Sequence, residues 1–197
     1  MPEASIIIVD DGSSDATYRT GAPLADHALR FPRNRGKGAA LRAGFETALA
    51  NNAEIIVTID ADGQHDPEFA PLLVAALADA DVVIGARERR RTMPVGRRLT
   101  NRLSAAAVAH CIRQPVADAQ SGFRAIRRRV AEMIAPAGDR YEFETEFLIL
   151  AGRRDFRITF VSIPTVYPSA VPSRFRPVRD SVRIVRTLWR FGTGATS

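Results

Sequence analysis

Short apolar runs that end on polar turns alternate along this chain with longer amphipathic stretches. Ser5–Val9 is rich in β-branched residues and stops at Asp10-Asp11-Gly12, so it reads as a buried strand. Ala28–Phe31 is a weaker second strand. Gly36 to about Asn51 places Ala39, Leu41, Ala43, Phe45 and Leu49 at apolar positions and predicts a helix. Glu54–Ile59 is a clear strand. Asp66-Pro67-Glu68 predicts a helix start that runs to about Ala78, with Asp66 as N-cap and Pro67 at the first helical position. Asp81–Gly85 predicts another buried strand. Arg97–Cys111, Arg127–Ile134 and Phe143–Arg153 predict helices, and Arg157–Ile163 a last strand. Alternation of strand and helix implies an α/β fold with a mostly parallel sheet covered on both faces. Met93–Gly96 and Pro164–Pro177 read as Pro-punctuated loops, the second long enough to carry function. There is no internal repeat.

Composition narrows the setting. At 197 residues and 46% hydrophobic content the chain fits one domain with an ordinary core. No apolar run approaches the roughly 18–20 residues that span a bilayer. Met1-Pro2-Glu3 leads straight into the first strand without a basic region or cleavage site, so no secretory signal is expected. A single cysteine, Cys111, makes a reducing, cytoplasmic compartment the default.

The net charge of +6 is unevenly spread. Arg87, Arg89, Arg90, Arg91, Arg97, Arg98 and Arg102 crowd one segment. From Arg153 to Arg190 nine Arg face only Asp155 and Asp180. Such a half suits phosphates or an anionic membrane surface. Nucleic-acid binding would rest on charge alone, without interleaved aromatics or a recognition motif, and no nucleic acid is expected as a partner. Asp180–Phe191 is basic and amphipathic: Ile184, Leu188 and Phe191 form one stripe, Arg183, Arg186 and Arg190 another face. It either lies on a membrane interface or packs on the core.

In open α/β sheets, ligands bind beyond the carboxyl ends of the strands. Asp10 and Asp11 follow the first strand, and Asp60, Asp62 and Gln64 follow Glu54–Ile59. In an extended chain Asp60, Asp62 and Gln64 share one face and present three oxygens, the donor type that Mg²⁺ or Mn²⁺ prefers. The alternative is a polar turn before the Asp66 cap. His65 is read as a loop residue. Asn34-Arg35-Gly36-Lys37-Gly38 opens a helix, where free N–H groups and Lys37 can receive an anion; a plain helix start is the alternative. Asp118-Ala119-Gln120-Ser121-Gly122-Phe123-Arg124 sets an acid and an Arg around a tight turn. There Arg124 holds a phosphate and Asp118 acts as a base or orients Arg124, or the whole is a surface turn. Glu142, Glu144 and Glu146 stand at a helix start, where acids favour the dipole; Glu144 or Glu146 turned into a site becomes a base candidate.

Taken together and in order, IVDDGSSDAT, NRGKGAALRAGF, TIDADGQHDPE, DVVIGAR, DAQSGFRAIRR and YEFETEFLILAGRRDFRITFVSIPTVY resemble family 2 glycosyltransferases of the GT-A fold. The likeness is greatest to the branch of polyprenyl-phosphate (dolichyl-phosphate) mannose or glucose synthases, and it covers most of residues 5–168. It implies a GT-A-type, Rossmann-like, mostly parallel sheet with helices on both faces. It implies transfer from a GDP- or UDP-sugar, with inversion, to an acceptor such as a polyprenyl phosphate. By position, Asp10 and Asp11 contact the nucleoside, and Asp60, Asp62 and Gln64 hold Mg²⁺ or Mn²⁺ against the diphosphate. Arg124, with Arg87, meets phosphate. A lipid phosphate needs little help from a base, whereas a hydroxyl acceptor needs a carboxylate such as Asp118 or Glu144.

Residues 1–170 then form the transferase domain, and 171–197 a basic loop and amphipathic segment that contacts a membrane face from the cytoplasm. One feature departs from the family: no strand ending in Pro-x-Tyr/Phe-Asn-Glu precedes Ser5–Val9. The expectation is an N-terminally shortened chain whose sheet lacks an internal strand and keeps unpaired edges. Tyr18–Leu24, with Gly21 and Pro23, is a poor version of the helix expected there, and the C-terminal membrane helices of some relatives are not expected. The alternative function is a shortened, inactive relative that binds a nucleotide sugar without turnover.

Overall fold

A computed structural model describes residues 4–87 and 95–164, together with Arg186, Thr187 and Phe191. Among the described residues the strands form two sheets. β1 (Ile7–Asp10) pairs in parallel with β2 (His27–Arg30). β3 (Ile55–Thr58), β4 (Val82–Arg87), β5 (Arg124–Arg127) and β6 (Ile158–Ile163) form the second sheet in the order β3-β5-β4-β6. β4 and β6 are parallel, while β5 runs against both β3 and β4. Within this sheet three of the four strands therefore share a direction, and the expected α/β class holds.

The helices are α1 (Thr17–Gly21), α2 (Lys37–Ala50), α3 (Ala70–Ala75), α4 (Val95–Ile112), α5 (Arg128–Met133) and α6 (Glu142–Arg153). Strand residues alternate between the faces of the four-stranded sheet. Ile56, Val82, Ile84, Ile126 and Ile158 meet Phe45 of α2, Val108 and Ile112 of α4, Val130 of α5 and Phe143 and Phe147 of α6. On the other face Val83, Ala125 and Ile163 meet Leu73 and Leu77, from α3 and the turn after it. Rings of Phe45, Phe143 and Phe147 lie 6.2–6.4 Å apart and join α2 to α6.

Three elements depart from expectation. β5 is a strand where a turn running directly into a helix is expected. Arg124 and Arg127 at its ends hide an Ala-Ile centre, and the sheet accepts them because each guanidinium donates to backbone carbonyls: Arg127 reaches Ala80 at 3.1 Å and Leu77 at 2.6 Å. The helix expected from Pro67 to Ala78 is instead a 3₁₀ turn, the short α3 and a second 3₁₀ turn. Pro71 has no N–H to continue the first turn. Asp66 does cap it, accepting the Glu68 N–H at 2.9 Å. Val95 and Gly96 belong to α4, and the rest of the Met93–Gly96 loop lies outside the described residues, as does nearly all of Pro164–Pro177.

The sheet is interrupted between β1 and β3. The carbonyls of Ile6 and Asp10 accept from β2 and Phe31, so the backbone groups of Ile7 and Val9 turn the other way. The Glu54 carbonyl accepts from Arg128, which turns Ile55 and Val57 away from β5. No described strand pairs with either edge, and Ile6 (51%), Ile55 (37%) and Ile59 (41%) are exposed. Unpaired edges are thus present at β1 and β3 among the described strands, as expected. Helix α2 packs on both β1 and β3 and connects the two sheets.

Of the amphipathic segment Asp180–Phe191, most lies outside the described residues. Phe191 is buried in the main core with Phe156, and its ring lies under the Arg153 guanidinium at 5.2 Å. At that residue the segment packs on the core. No helix among the described residues is long and apolar enough to cross a membrane.

Helix α2 starts in close contact with residues 138–139. The Gly38 N–H donates to the Asp139 carbonyl at 2.8 Å, and a Cβ on Gly38 would overlap the Gly138 carbonyl. In an open helix Gly→Ala stabilises by roughly 0.5–1 kcal/mol. Here the sign should reverse: Gly38→Ala is expected to lower the unfolding free energy by about 1–3 kcal/mol, measured by urea denaturation.

Candidate active site

The carboxyl ends of β1 and β3 meet the first turn of α2. Asp10, buried at the end of β1, lies 3.1 Å from Arg30 Nε and accepts the Ser13 N–H at 3.2 Å. Asp11 reaches across to the segment before α2. It accepts the N–H groups of Arg35 (2.6 Å) and Gly36 (2.9 Å) and the Asn34 side-chain amide (2.8 Å). Gly12 follows at φ +71°, and a Cβ there would meet the backbone of Arg33 at 2.5 Å. Both aspartates thus shape the loop from inside.

This corrects the anion-cradle reading of Asn34–Gly38. The N–H groups of Arg35 and Gly36 are taken by the Asp11 carboxylate, and those of Gly38 and Ala39 by the Asp139 carbonyl. Gly36 and Gly38 serve a close approach of backbone to residues 138–139 rather than an approach to phosphate. Lys37 turns inward. Its ammonium lies 2.7 Å from Asp60 Oδ2 and 2.6 Å from Glu144 Oε1. Burial alone would lower the Lys37 pKa, but Glu144 and Asp60 outweigh it and hold the group well above the ordinary lysine range.

Asp60 rests against Gly122, where any Cβ would stand 2.5 Å from its Oδ2. Gly122 is itself fixed by the Thr58 hydroxyl, which donates to its carbonyl at 2.7 Å. Beyond Asp60 the chain turns instead of continuing extended. Asp62 Oδ1 accepts the Gln64 N–H at 3.0 Å, and Gly63 has φ +72°. The three-oxygen face expected from an extended Asp60-Ala61-Asp62-Gly63-Gln64 is therefore replaced by a turn that leaves Asp62 half-buried.

His65, 6% exposed, is brought in by that turn. Its ring packs 5.6 Å from Phe123, and its Nδ1 is buried without a hydrogen bond. Burial first, then the charge of Arg87, holds it below the ordinary imidazole range, with Asp60, Asp62 and Asp118 opposing. It is neutral at pH 7 and marks where these four charged groups converge. Only its position beside Gln64 signalled this in the sequence.

Arg87, at the end of β4, grips Asp118 with two donors: Nε to Oδ2 at 2.7 Å and Nη2 to Oδ1 at 3.1 Å. Asp118 Oδ1 also accepts the Gln120 N–H at 3.0 Å. Burial alone would raise this carboxyl, but Arg87 outweighs it and holds Asp118 below the usual carboxylate range. Asp118 is an orienter of Arg87 rather than of Arg124, and a poor base.

Arg124 requires a correction. At 3% exposure it lies inside the sheet, donating to the carbonyls of Ser121 (2.8 Å), Ala119 (3.3 Å) and Glu144 (3.3 Å), over the Phe147 ring. It holds the 119–122 turn and is not open to a phosphate. Glu144, at 1% exposure, is likewise not presented to an acceptor. Glu146 accepts the Gly138 N–H at 2.8 Å. What sequence reasoning missed is Gly122 as the wall behind Asp60 and Lys37 as the tie between two carboxylates, because each depends on a contact between segments far apart in the chain, Asp60 with Gly122 and Lys37 with Glu144.

Among the described residues no group of three His, Cys, Asp or Glu side chains converges to hold a metal ion. The donor chemistry nevertheless fits a hard divalent ion that takes the rest of its ligands from phosphate and water. Asp62 is half-buried with one oxygen committed to a backbone N–H, Asp60 has one oxygen committed to Lys37, and the Gln64 amide follows on the same turn.

The family model described as glycosyl transferase family 2 matches residues 2–134. The chain is 29% identical to an undecaprenyl-phosphate mannosyltransferase of Micrococcus luteus, over 84% of this chain and 73% of that protein. It is 31% identical to a UDP-N-acetylglucosamine–dolichyl-phosphate N-acetylglucosaminyltransferase of Methanococcus voltae, over 83% of this chain and 75% of that protein. Its fold is similar to glucosyl-3-phosphoglycerate synthase from Mycobacterium tuberculosis, solved with Mn²⁺, UDP-glucose and phosphoglyceric acid. The TM-score is 0.69 at 26% identity, over 94% of this chain and 68% of that chain.

The paired acids set the acid sensitivity. A carboxyl whose folded pKa lies below the unfolded value of about 3.9 stabilises fully above that pH and loses the contribution as pH falls through the folded value. Asp118→Asn should be less stable at pH 7, with a shallower loss of stability below about pH 4. Thermal melts between pH 7 and 2.5 measure both; an unchanged acid limb would show that Asp118 is not so paired.

Proposed function

The chain belongs to glycosyl transferase family 2, and from that premise we propose that it moves a sugar, with inversion, from a GDP- or UDP-sugar to a polyprenyl phosphate at the cytoplasmic face of a membrane. The observation that carries this reading is the state of the carboxylates. Asp118 is paired with Arg87, Glu144 shares the Lys37 ammonium with Asp60, and Asp10 is held beside Arg30. Among these groups none is placed as a free base. A hydroxyl acceptor needs one, whereas a phosphate monoester brings its own ionised oxygen.

In the step that follows, an acceptor phosphate oxygen attacks the anomeric carbon. The bond from that carbon to the donor diphosphate oxygen breaks, and the electron pair leaves with the nucleoside diphosphate. No proton has to be removed by the protein. Asp11 keeps the loop after β1 folded against α2, on the nucleoside side of the site. Arg87, its guanidinium plane set by Asp118, offers positive charge beside His65. Asp62 and Gln64, next to Asp60, would hold Mg²⁺ or Mn²⁺, which would supply positive charge against the departing diphosphate. The names of the Micrococcus and Methanococcus relatives support a polyprenyl-phosphate acceptor, and the basic C-terminal residues suit an anionic membrane surface.

The test offers radiolabelled GDP-mannose, UDP-glucose and UDP-N-acetylglucosamine with undecaprenyl phosphate, and, separately, with 3-phosphoglycerate. Label should enter the organic phase with one donor, only with divalent metal, and Asp62→Ala should lower the rate by about 10²-fold or more. Product on 3-phosphoglycerate alone would overturn the acceptor assignment. Metal-dependent retention of nucleotide without transfer to either acceptor would leave the binding-module reading instead.

A further inference from the structure

Lys37, Asp60 and Glu144 come from three elements: the first turn of α2, the exit of β3 and the first turn of α6. Each is independently fixed. Lys37 is next to Gly38, pressed on residue 138. Asp60 is backed by Gly122. The Glu144 carbonyl accepts from Arg124. Glu144 carries its carboxylate into the protein beside a small cavity lined by Leu41, Phe45, Phe143 and Phe147. Apart from the Lys37 ammonium, no hydrogen bond among the described residues reaches either of its oxygens. A buried carboxylate with one partner is costly unless that partner is kept.

We propose that Glu144 and Lys37 form a relay that positions Asp60: Glu144 shares the Lys37 ammonium, and the ammonium holds one Asp60 oxygen, leaving the other for the donor side. This rests on the transferase reading above. Charge counting gives the relay its purpose. Two carboxylates share one ammonium, and the buried Arg124 guanidinium beside Glu144 balances part of the Glu144 charge; the ammonium is thus divided, and Asp60 is held in place without being fully neutralised. Without the Glu144 charge the ammonium would belong to Asp60 alone and cancel it. Without Lys37, Asp60 would lose its tether and face the buried Glu144 carboxylate. Glu144 touches no ligand in this arrangement. It is a positioning residue rather than the base that its place in the sequence suggests.

The experiment measures retention of UDP, and separately GDP, with Mn²⁺, by isothermal titration, alongside kcat and KM for transfer. In the wild-type background Glu144→Gln should weaken Mn²⁺-dependent nucleotide retention roughly tenfold. In a Lys37→Met background the same change should add little, because Glu144 acts only through Lys37. Equal weakening in both backgrounds, or none in either while the wild type binds, overturns the relay. So does a fall in kcat alone with retention unchanged, which is the behaviour of a base. A wild type that retains neither nucleotide with Mn²⁺ overturns the donor-site reading itself, and the relay with it. If Glu144→Gln does not fold, Glu144→Asp shortens the reach while keeping the charge. It should weaken retention in the wild-type background and not in Lys37→Met.

Discussion

The start of α2 is where two loops with no strand pairing in common are brought to one place. Charges and N–H groups there have to be satisfied inside the protein. Asp11, at the exit of β1, takes the N–H groups of Arg35 and Gly36, and Asp60, at the exit of β3, takes the ammonium of Lys37. Three successive residues of one segment thus hold both loops. With the sheet interrupted between β1 and β3, no backbone ladder among the described residues could do this. The close approach of Gly36 and Gly38 to residues 138–139 then fixes α2 itself.

The same constraint explains how so many arginines are accommodated. Arg124 and Arg127 end the internal strand β5, yet their guanidinium groups finish on backbone carbonyls of nearby turns. Asp81, buried at the start of β4, pairs with Arg129 and accepts the Arg157 N–H at 2.9 Å, tying β4 to β6. In this chain internal arginines work as stitches for loop ends. That leaves Arg87, at the mouth of the site, as the described Arg of the candidate set that faces the convergence of acids. It also underlies the proposed acceptor: carboxylates already paired with cations suit one that arrives ionised.

Family membership and the strand-by-strand reading agree on most of the fold. The runs Ser5–Val9, Glu54–Ile59, Asp81–Gly85 and Arg157–Ile163 all became strands, and the amphipathic stretches after Gly36, Arg97 and Phe143 became helices. They were legible because a buried strand or a one-sided helix is a local pattern of apolar residues. β5 was not, because Arg124 and Arg127 look like surface residues until the carbonyls they meet are known. Nor was the break in the helix after Asp66, where Pro71 interrupts a pattern that is otherwise helical.

For the site, the sequence by itself determined which carboxylates stand at strand ends, since Asp10, Asp11, Asp60 and Asp62 follow apolar runs directly. It also determined the oxygen-rich character of the Asp60–Gln64 turn. What only the tertiary structure decided is what each of these groups is bonded to. Lys37 meets Asp60 and Glu144 over separations of 23 and 107 residues, and Arg87 meets Asp118 across 31. A charge in sequence is only a charge; whether it is a base, a ligand or a strut depends on its burial and on the partner that packing brings to it.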